Sequence, residues 1–145
     1  MQEEVRKKLT AYHEAGHALI ANSLDVPIEY VTIGIKPNYA GETSYKDINC
    51  DKDLIYMKKR IIIAFAGGFA SIKYDPSRIT SIGDYDFACK LATKIIGDKK
   101  KKEYLKIAEA KAKEAVNKNK SSIAKVAKKL LIKNKLTGEE LMNLL

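Results

Sequence analysis

Two histidines and a glutamate lie close together near the start of the chain, in the H-E-A-G-H segment at positions 13–17. Residues 2–23 favour a helix, on which residues four apart face the same way. His13 and His17 can therefore bind one metal ion together, and Glu14 then lies beside that ion without binding it. Bound Zn²⁺ makes a water molecule nucleophilic and polarises a carbonyl, and Glu14 can accept the water proton. The segment predicts a zinc-dependent amide hydrolase with one Zn²⁺ per chain.

The third protein ligand must be a carboxylate or a thiolate, because His13 and His17 are the two histidines of the sequence. Asp84 lies where a predicted loop passes into a helix, so its side chain can reach a neighbouring site. An aspartate at that position also fits a helix N-cap. Asp86 is nearly as eligible. Cys89 is a weaker candidate because we expect it to pack in the core.

The elements that must position these residues are predicted to be mostly helical. Helices are expected over residues 51–74, 84–96, 100–117, 122–133 and 136–145. Residues 28–35 alternate in polarity and are rich in β-branched and aromatic types, and residues 41–45 form a second extended run. The sequence therefore predicts an α+β fold, predominantly α-helical, with a small β-sheet beside the active-site cleft.

The helix predicted over residues 51–74 has the pattern of a core element. Its centre, residues 61–66, is apolar on all sides, which indicates deep burial. Gly67 and Gly68 follow directly, although glycine is unfavourable inside a helix. The glycine pair therefore predicts a close backbone approach to another element.

Two of the later helices carry capping signals at their starts. Ser121 is expected to cap the helix over residues 122–133. Thr137 and Glu140 have the spacing of a capping box, which predicts that the terminal helix begins near them.

The composition is that of a folded globular chain of 145 residues, 46% hydrophobic and 31% charged. This length fits a single domain, residues 1–145. The longest apolar stretch is well short of the roughly 20 residues that span a bilayer, and the N-terminus lacks an apolar signal segment. Cys50 and Cys89 show no C-x-x-C spacing, which favours reduced thiols. We expect a cytoplasmic protein without a membrane span.

The net charge of +9 comes mainly from lysines that follow Lys99. Such charge can attract nucleic acid or an acidic partner. Glutamates interrupt the lysines at spacings that allow i,i+4 pairs, and Tyr104 is the one aromatic residue of this segment. We therefore expect a solvated helical face and no nucleic-acid partner. A non-catalytic basic binding module is the alternative that this charge supports.

Residues 10–21, with the sequence T-A-Y-H-E-A-G-H-A-L-I-A, closely resemble the active-site helix in the peptidase domain of FtsH-type AAA proteases. Residues 31–35 resemble the strand that follows it in that family, residues 65–70 its Gly-Gly segment, and residues 137–141 its terminal helix. The resemblance implies a zincin-like fold and a zinc metalloendopeptidase that cleaves unfolded or flexible polypeptides.

The resemblance also selects between the two candidate aspartates. The family's third zinc ligand is an aspartate with alanine four residues later and Leu-Ala at seven and eight. Asp84 has Ala88, Leu91 and Ala92 at these distances. Gly83 departs from the family, which has asparagine before the ligand. The resemblance therefore implies Asp84 as the third ligand, with Asp86 in reserve.

Substrate handling is predicted from the same resemblance. It implies that an extended peptide pairs with an edge strand, which we expect within Val31, Thr32, Ile33 and Gly34. The sequence contains no G-x-x-x-x-G-K-[ST] loop, so we expect no ATP binding. The alternatives are a detached peptidase subunit fed by a separate ATPase, or an inactive binding module. A homo-oligomer is compatible with all of these hypotheses.

Overall fold

The structure, a computed structural model, describes residues 2–47, 53–77 and 80–145. Within these ranges the helices clearly outnumber the strands, which confirms the prediction of a mainly helical α+β fold. None of the helices in these ranges has the length and apolar character needed to cross a membrane. The elements follow in the order α1 (Glu3–Ser23), β1 (Ile28–Thr32), β2 (Glu42–Tyr45), α2 (Leu54–Ala70), α3 (Ile82–Ile96), α4 (Lys101–Lys118), α5 (Lys120–Lys133), β3 (Lys135–Thr137) and α6 (Gly138–Leu144).

The three strands form one antiparallel sheet in the order β2-β1-β3. Val31 in β1 pairs with Thr43 of β2 on one side and with Leu136 of β3 on the other. The prediction that residues 31–34 form an edge strand is therefore wrong, because β1 is the central strand. Ile33 continues the contact beyond the strand by donating its N–H to the carbonyl of Asn134 at 3.0 Å. Gly34 lies past the end of β1 with a φ of 75°.

The sequence does not predict the short strand β3, because Leu136 and Thr137 fall within the terminal helix expected over residues 136–145. Leu136 is buried in the sheet opposite Val31, and this pairing with a distant part of the chain gives it strand geometry. The predicted capping box is confirmed at Thr137 and Glu140, and the terminal helix begins at Gly138. Thr137 Oγ1 accepts from the N–H of Glu140, and the Glu140 carboxylate accepts from the N–H of Thr137.

Two other predicted helix starts differ from the structure or fall outside it. The start of α2 predicted at Asp51 lies outside the described residues, as does Cys50. In the structure α2 begins at Leu54, and the carboxylate of Asp53 caps it. The N-cap predicted at Ser121 is wrong. Asn119 is the single residue between α4 and α5, and its side-chain N–H donates to the carbonyl of Ala115 at 2.7 Å. Helix α5 therefore begins at Lys120, and Ser121 lies inside it.

The core consists of two clusters of buried apolar side chains. One joins α1, the sheet and α5 through residues such as Ile20, Val31 and Leu130. The other joins α2 to α3 and α4 through residues such as Phe65 and Leu91. Helix α2 contributes to both clusters, which confirms the prediction that its centre is deeply buried.

Helices α1 and α2 approach each other closely through small residues. A Cβ added at Gly16 would lie 2.5 Å from the Cβ of Ala70 and 2.9 Å from the carbonyl oxygen of Ala66. A Cβ added at Gly67 would lie 2.5 Å from Nε2 of His17. The close approach predicted from the glycine pair is confirmed at Gly67, and it sets the histidine face of α1 directly against α2.

Candidate metal centre

Helix α1 brings its two histidines together on one face. The ring centroids of His13 and His17 lie 4.6 Å apart, with the ring planes at 87° to each other. Their Nε2 atoms are 3.0 Å apart. This is the arrangement expected for residues at i and i+4 on a helix, and both rings therefore present a nitrogen to the same point.

Helix α3 adds a carboxylate to this point. Oδ2 of Asp84 lies 3.0 Å from Nε2 of His13 and 3.2 Å from Nε2 of His17. The helix is capped by Ser81, whose Oγ accepts from the backbone N–H of Asp84 at 3.2 Å. The interpretation of Asp84 as the N-cap is therefore wrong, and its side chain is free to face the histidines.

The two weaker ligand candidates lie elsewhere. Asp86 is exposed to solvent, and it is not part of the His13, His17 and Asp84 group. Cys89 is half-buried and packs against the apolar cluster of α2, α3 and α4. The structure thus brings Asp84, rather than Asp86 or Cys89, to the two histidines.

A backbone contact fixes the orientation of His17. Its Nδ1 lies 2.7 Å from the carbonyl oxygen of Ile63 on α2, so Nδ1 carries the proton and donates it to that oxygen. In the neutral ring this leaves the lone pair on Nε2, which faces His13 and Asp84. Histidines that ligate metals commonly have their second nitrogen held in this way.

The geometry of the three ligand atoms fits a zinc ion. Tetrahedral zinc with ligands at 2.0–2.1 Å has ligand atoms about 3.3–3.4 Å apart. The atoms of His13, His17 and Asp84 lie 3.0–3.2 Å from one another, so small shifts suffice to accommodate one ion. Two imidazole nitrogens and a carboxylate oxygen also form a donor set that zinc accepts, with one position left open.

The charges of this group are strongly coupled. Burial disfavours the charged form of His17, but the hydrogen bond and charge of Asp84, with the charge of Glu14, outweigh it and raise the pKa of His17 to about 9. Burial would raise the pKa of Asp84, but the hydrogen bonds and charges of both histidines hold that pKa far below its usual range. The carboxylate is therefore ionised, and His17 would have to release a proton to bind a metal ion.

Strand β2 orients the buried carboxylate of Glu14. Oγ1 of Thr43 donates to Oε1 of Glu14 at 2.8 Å. A Cβ added at Gly41 would lie 2.7 Å from Cγ of Glu14, so the strand passes directly over this side chain. Thr43 was not predicted as a site residue, because its position depends on the register of β2 rather than on a motif.

These residues share one open cavity of about 400 Å³. Its walls come from α1, β2, α2 and α3. Burial raises the pKa of the Tyr45 hydroxyl far above its usual range, so this wall residue stays neutral. The lining residues are His13, Glu14, His17, Gly41, Glu42, Thr43, Tyr45, Arg60, Ala64, Ser81, Gly83, Asp84 and Phe87.

Two known proteins, each named ATP-dependent zinc metalloprotease FtsH, are similar to this chain. The one from Caldicellulosiruptor bescii is 30% identical over 189 aligned residues, which cover 97% of this chain. The one from a Synechococcus strain is 36% identical over 87 residues, which cover 56% of this chain. The matched segments span 30% and 14% of those two proteins. No protein-family model matches the chain.

Proposed function

We propose that this chain is an FtsH-related zinc metalloendopeptidase that cleaves unfolded or flexible polypeptides. In this proposal His13, His17 and Asp84 hold one Zn²⁺, and Glu14 is the general base. The observation that carries the proposal is the meeting of three ligand atoms from α1 and α3 beside a buried glutamate, in one open cavity. The likeness to two zinc metalloproteases supports the same conclusion.

The residues of the chain have distinct roles in the proposed reaction. Zinc, when bound, supplies Lewis-acid chemistry that activates water and polarises the scissile carbonyl. Glu14 accepts a proton from the attacking water on its carboxylate and later delivers that proton to the leaving amine. Thr43 holds Oε1 of Glu14 in place during both transfers. The Ile63 carbonyl keeps His17 in the tautomer that can bind metal.

The outer edge of β2 is the proposed binding surface for the substrate backbone. Glu42, Thr43 and Tyr45 of this strand line the cavity, and β1 pairs with β2 along its other edge. In the described part of the chain no further strand pairs with β2. An extended peptide that adds to this edge would have its backbone hydrogen-bonded whatever its sequence. This proposal replaces the predicted pairing with residues 31–34, which lie in and beyond the central strand.

The test of this proposal is cleavage of an unfolded protein by the zinc-loaded chain. Wild type should cleave casein without added ATP. The cleavage should stop when a zinc chelator is added. Glu14→Gln keeps the shape of the side chain but cannot accept the proton, so the rate should fall by about 10²–10⁴-fold. Zinc content, measured by mass spectrometry, should not change in this variant.

The comparison separates the outcomes clearly. If zinc-loaded wild type and zinc-loaded Glu14→Gln are equally inert, the peptidase proposal is wrong, although the metal site can stand. If both cleave at the same rate, the activity belongs to another residue or to a contaminant.

A further inference from the structure

Arg60 on α2 reaches into the wall of the cavity, where aromatic rings surround it. Its guanidinium carbon lies 3.8 Å from the ring centroid of Tyr45, 4.9 Å from that of Phe87 and 5.7 Å from that of Tyr56. Tyr45 and Phe87 line the same cavity as the candidate metal ligands. A guanidinium stacked in this way is fixed in orientation and has lost part of its hydration.

The hydrogen bonding of this guanidinium is incomplete. Nη1 donates to the hydroxyl of Tyr56 at 3.2 Å, and that hydroxyl in turn donates to the carbonyl of Asp47. Nε is buried and has no hydrogen-bond partner among the described residues. An arginine carries five N–H donors, which match the two oxygens of a carboxylate.

The acidic residues of the cavity each have another partner. Glu14 accepts from Thr43, Glu42 accepts from the hydroxyl of Tyr30, and Asp84 faces the two histidines. Across the described ranges, no carboxylate lies within ion-pair distance of Arg60. Among the described residues its positive charge is therefore unpaired, and a carboxylate that enters the cavity can bind there.

From this arrangement we infer that Arg60 forms an anion subsite, which binds a carboxylate of the polypeptide substrate. The inference rests on the proposed peptidase function and adds a specificity to it. The terminal nitrogens of Arg60 take the carboxylate, because Nε is shielded from solvent. The carboxylate is either an aspartate or glutamate side chain or the C-terminus of the substrate.

The position of Arg60 on α2 sets the distance of this subsite from the cleaved bond. Gly67, which lies against both histidine rings, is seven residues further along the helix. At 1.5 Å per residue the two positions are about 10 Å apart along the helix axis. An extended peptide advances about 3.3 Å per residue, so a substrate that runs along α2 would place the subsite about three residues from the cleaved bond.

The experiment compares matched peptides and matched variants. The first set consists of peptide pairs with amidated C-termini. The two members of a pair differ only in a glutamate or a glutamine at one position, and the pairs together cover each position up to four residues from the cleaved bond. A second pair differs in a free or an amidated C-terminus at that distance. Zinc-loaded wild type should favour the carboxylate in one of these pairs by about tenfold or more in kcat/KM. Which pair shows the preference identifies the source of the carboxylate.

The preference should depend on Arg60 alone. Arg60→Met leaves an apolar side chain of similar length without the charge. It should reduce the ratio of kcat/KM between the two members of the pair to about 1. Arg60→Lys, which keeps the charge without the planar fork, should retain part of it. Lys58→Met removes the same charge from an exposed neighbouring position on α2, so it should leave the preference unchanged.

A binding measurement separates this inference from the proposed function. Fluorescence anisotropy with the same labelled peptides and metal-free protein should show the carboxylate preference in wild type and its loss in Arg60→Met. If wild type cleaves nothing but shows this binding preference, the peptidase proposal fails and the subsite stands. Equal binding and cleavage of both members of every pair by wild type would overturn the subsite. A preference that persists in a folded Arg60→Met protein would overturn it too.

Discussion

At the scale of single residues, the site depends on how each ionisable side chain is held. Glu14 is buried, and Oγ1 of Thr43 donates to its Oε1 at 2.8 Å. His17 is held through the Ile63 carbonyl, and Asp84 is oriented by a helix that Ser81 caps. Glu14, His17 and Asp84 therefore each have a second residue that sets their orientation, as is common around metal sites.

Removal of the Thr43 hydroxyl should slow catalysis without loss of metal. Thr43→Val has the same shape but cannot donate to Glu14, so the carboxylate gains orientations in which it cannot reach the water. We expect kcat to fall by about tenfold or more, since a hydrogen bond to a charged group contributes about 1.5–3 kcal/mol. Steady-state kinetics and zinc analysis measure the two effects separately.

Ser44→Ala provides the matched control for this variant, because it removes a hydroxyl from the next residue of β2, which does not line the cavity. Its kcat should equal that of wild type. If Thr43→Val keeps full activity, or if both variants slow equally, Thr43 does not position Glu14.

The sequence predicts some of these residues and not others for a physical reason. His13, Glu14 and His17 lie within one helical turn, so their spacing alone brings them together. Thr43 and Arg60 come from β2 and α2, and their place beside the site depends on strand register and helix packing. These are long-range features, and no local pattern in the sequence encodes them.

At the scale of elements, the contact between α1 and α2 determines the position of the histidines. Gly67 allows the backbone of α2 to lie against both rings, because a Cβ there would be 2.5 Å from Nε2 of His17 and 2.9 Å from Cε1 of His13. Such distances are well inside van der Waals contact, so a side chain at this position must displace the rings.

Gly67→Ala should therefore weaken zinc binding. Alanine favours a helix over glycine by about 1 kcal/mol, so the helix itself should tolerate the change. The displaced rings should lower zinc affinity by about tenfold or more, as measured by competition with a chelator. Gly83→Ala is the control, because a Cβ there meets nothing within 4 Å. Equal zinc affinities in the two variants would contradict this role of Gly67.

The difference between local sequence patterns and long-range contacts also explains which elements could be predicted. The long helices follow from local periodicity, and α3 ends at Ile96 as predicted. The strand β3 is three residues long and exists because it pairs with β1, about a hundred residues earlier. Its pairing makes β1 central, so the proposed substrate-binding edge is that of β2, which lines the cavity.

At the scale of the whole molecule, the site takes its residues from helices of both apolar clusters of the core. His13 and His17 come from α1, which packs with the sheet and α5, whereas Asp84 comes from α3, which packs with α2 and α4. A metal ion held by all three would connect these clusters. The basic helix α4 contributes apolar side chains to both clusters, and α5 contributes them to the cluster of α1 and the sheet. Salt bridges such as Lys118 to Glu114 neutralise part of the charge of these helices.

Zinc titration of the metal-free protein tests the central claim most directly. Wild type should bind one Zn²⁺ per chain in competition with a chelator, through His13, His17 and Asp84. Asp84→Asn should weaken binding by more than about a hundredfold, because it removes a ligand rather than a supporting contact. Asp86→Asn changes an exposed carboxylate two residues away and should bind zinc as wild type does. Absence of saturable zinc binding in wild type, or equal losses in the two variants, would contradict the account.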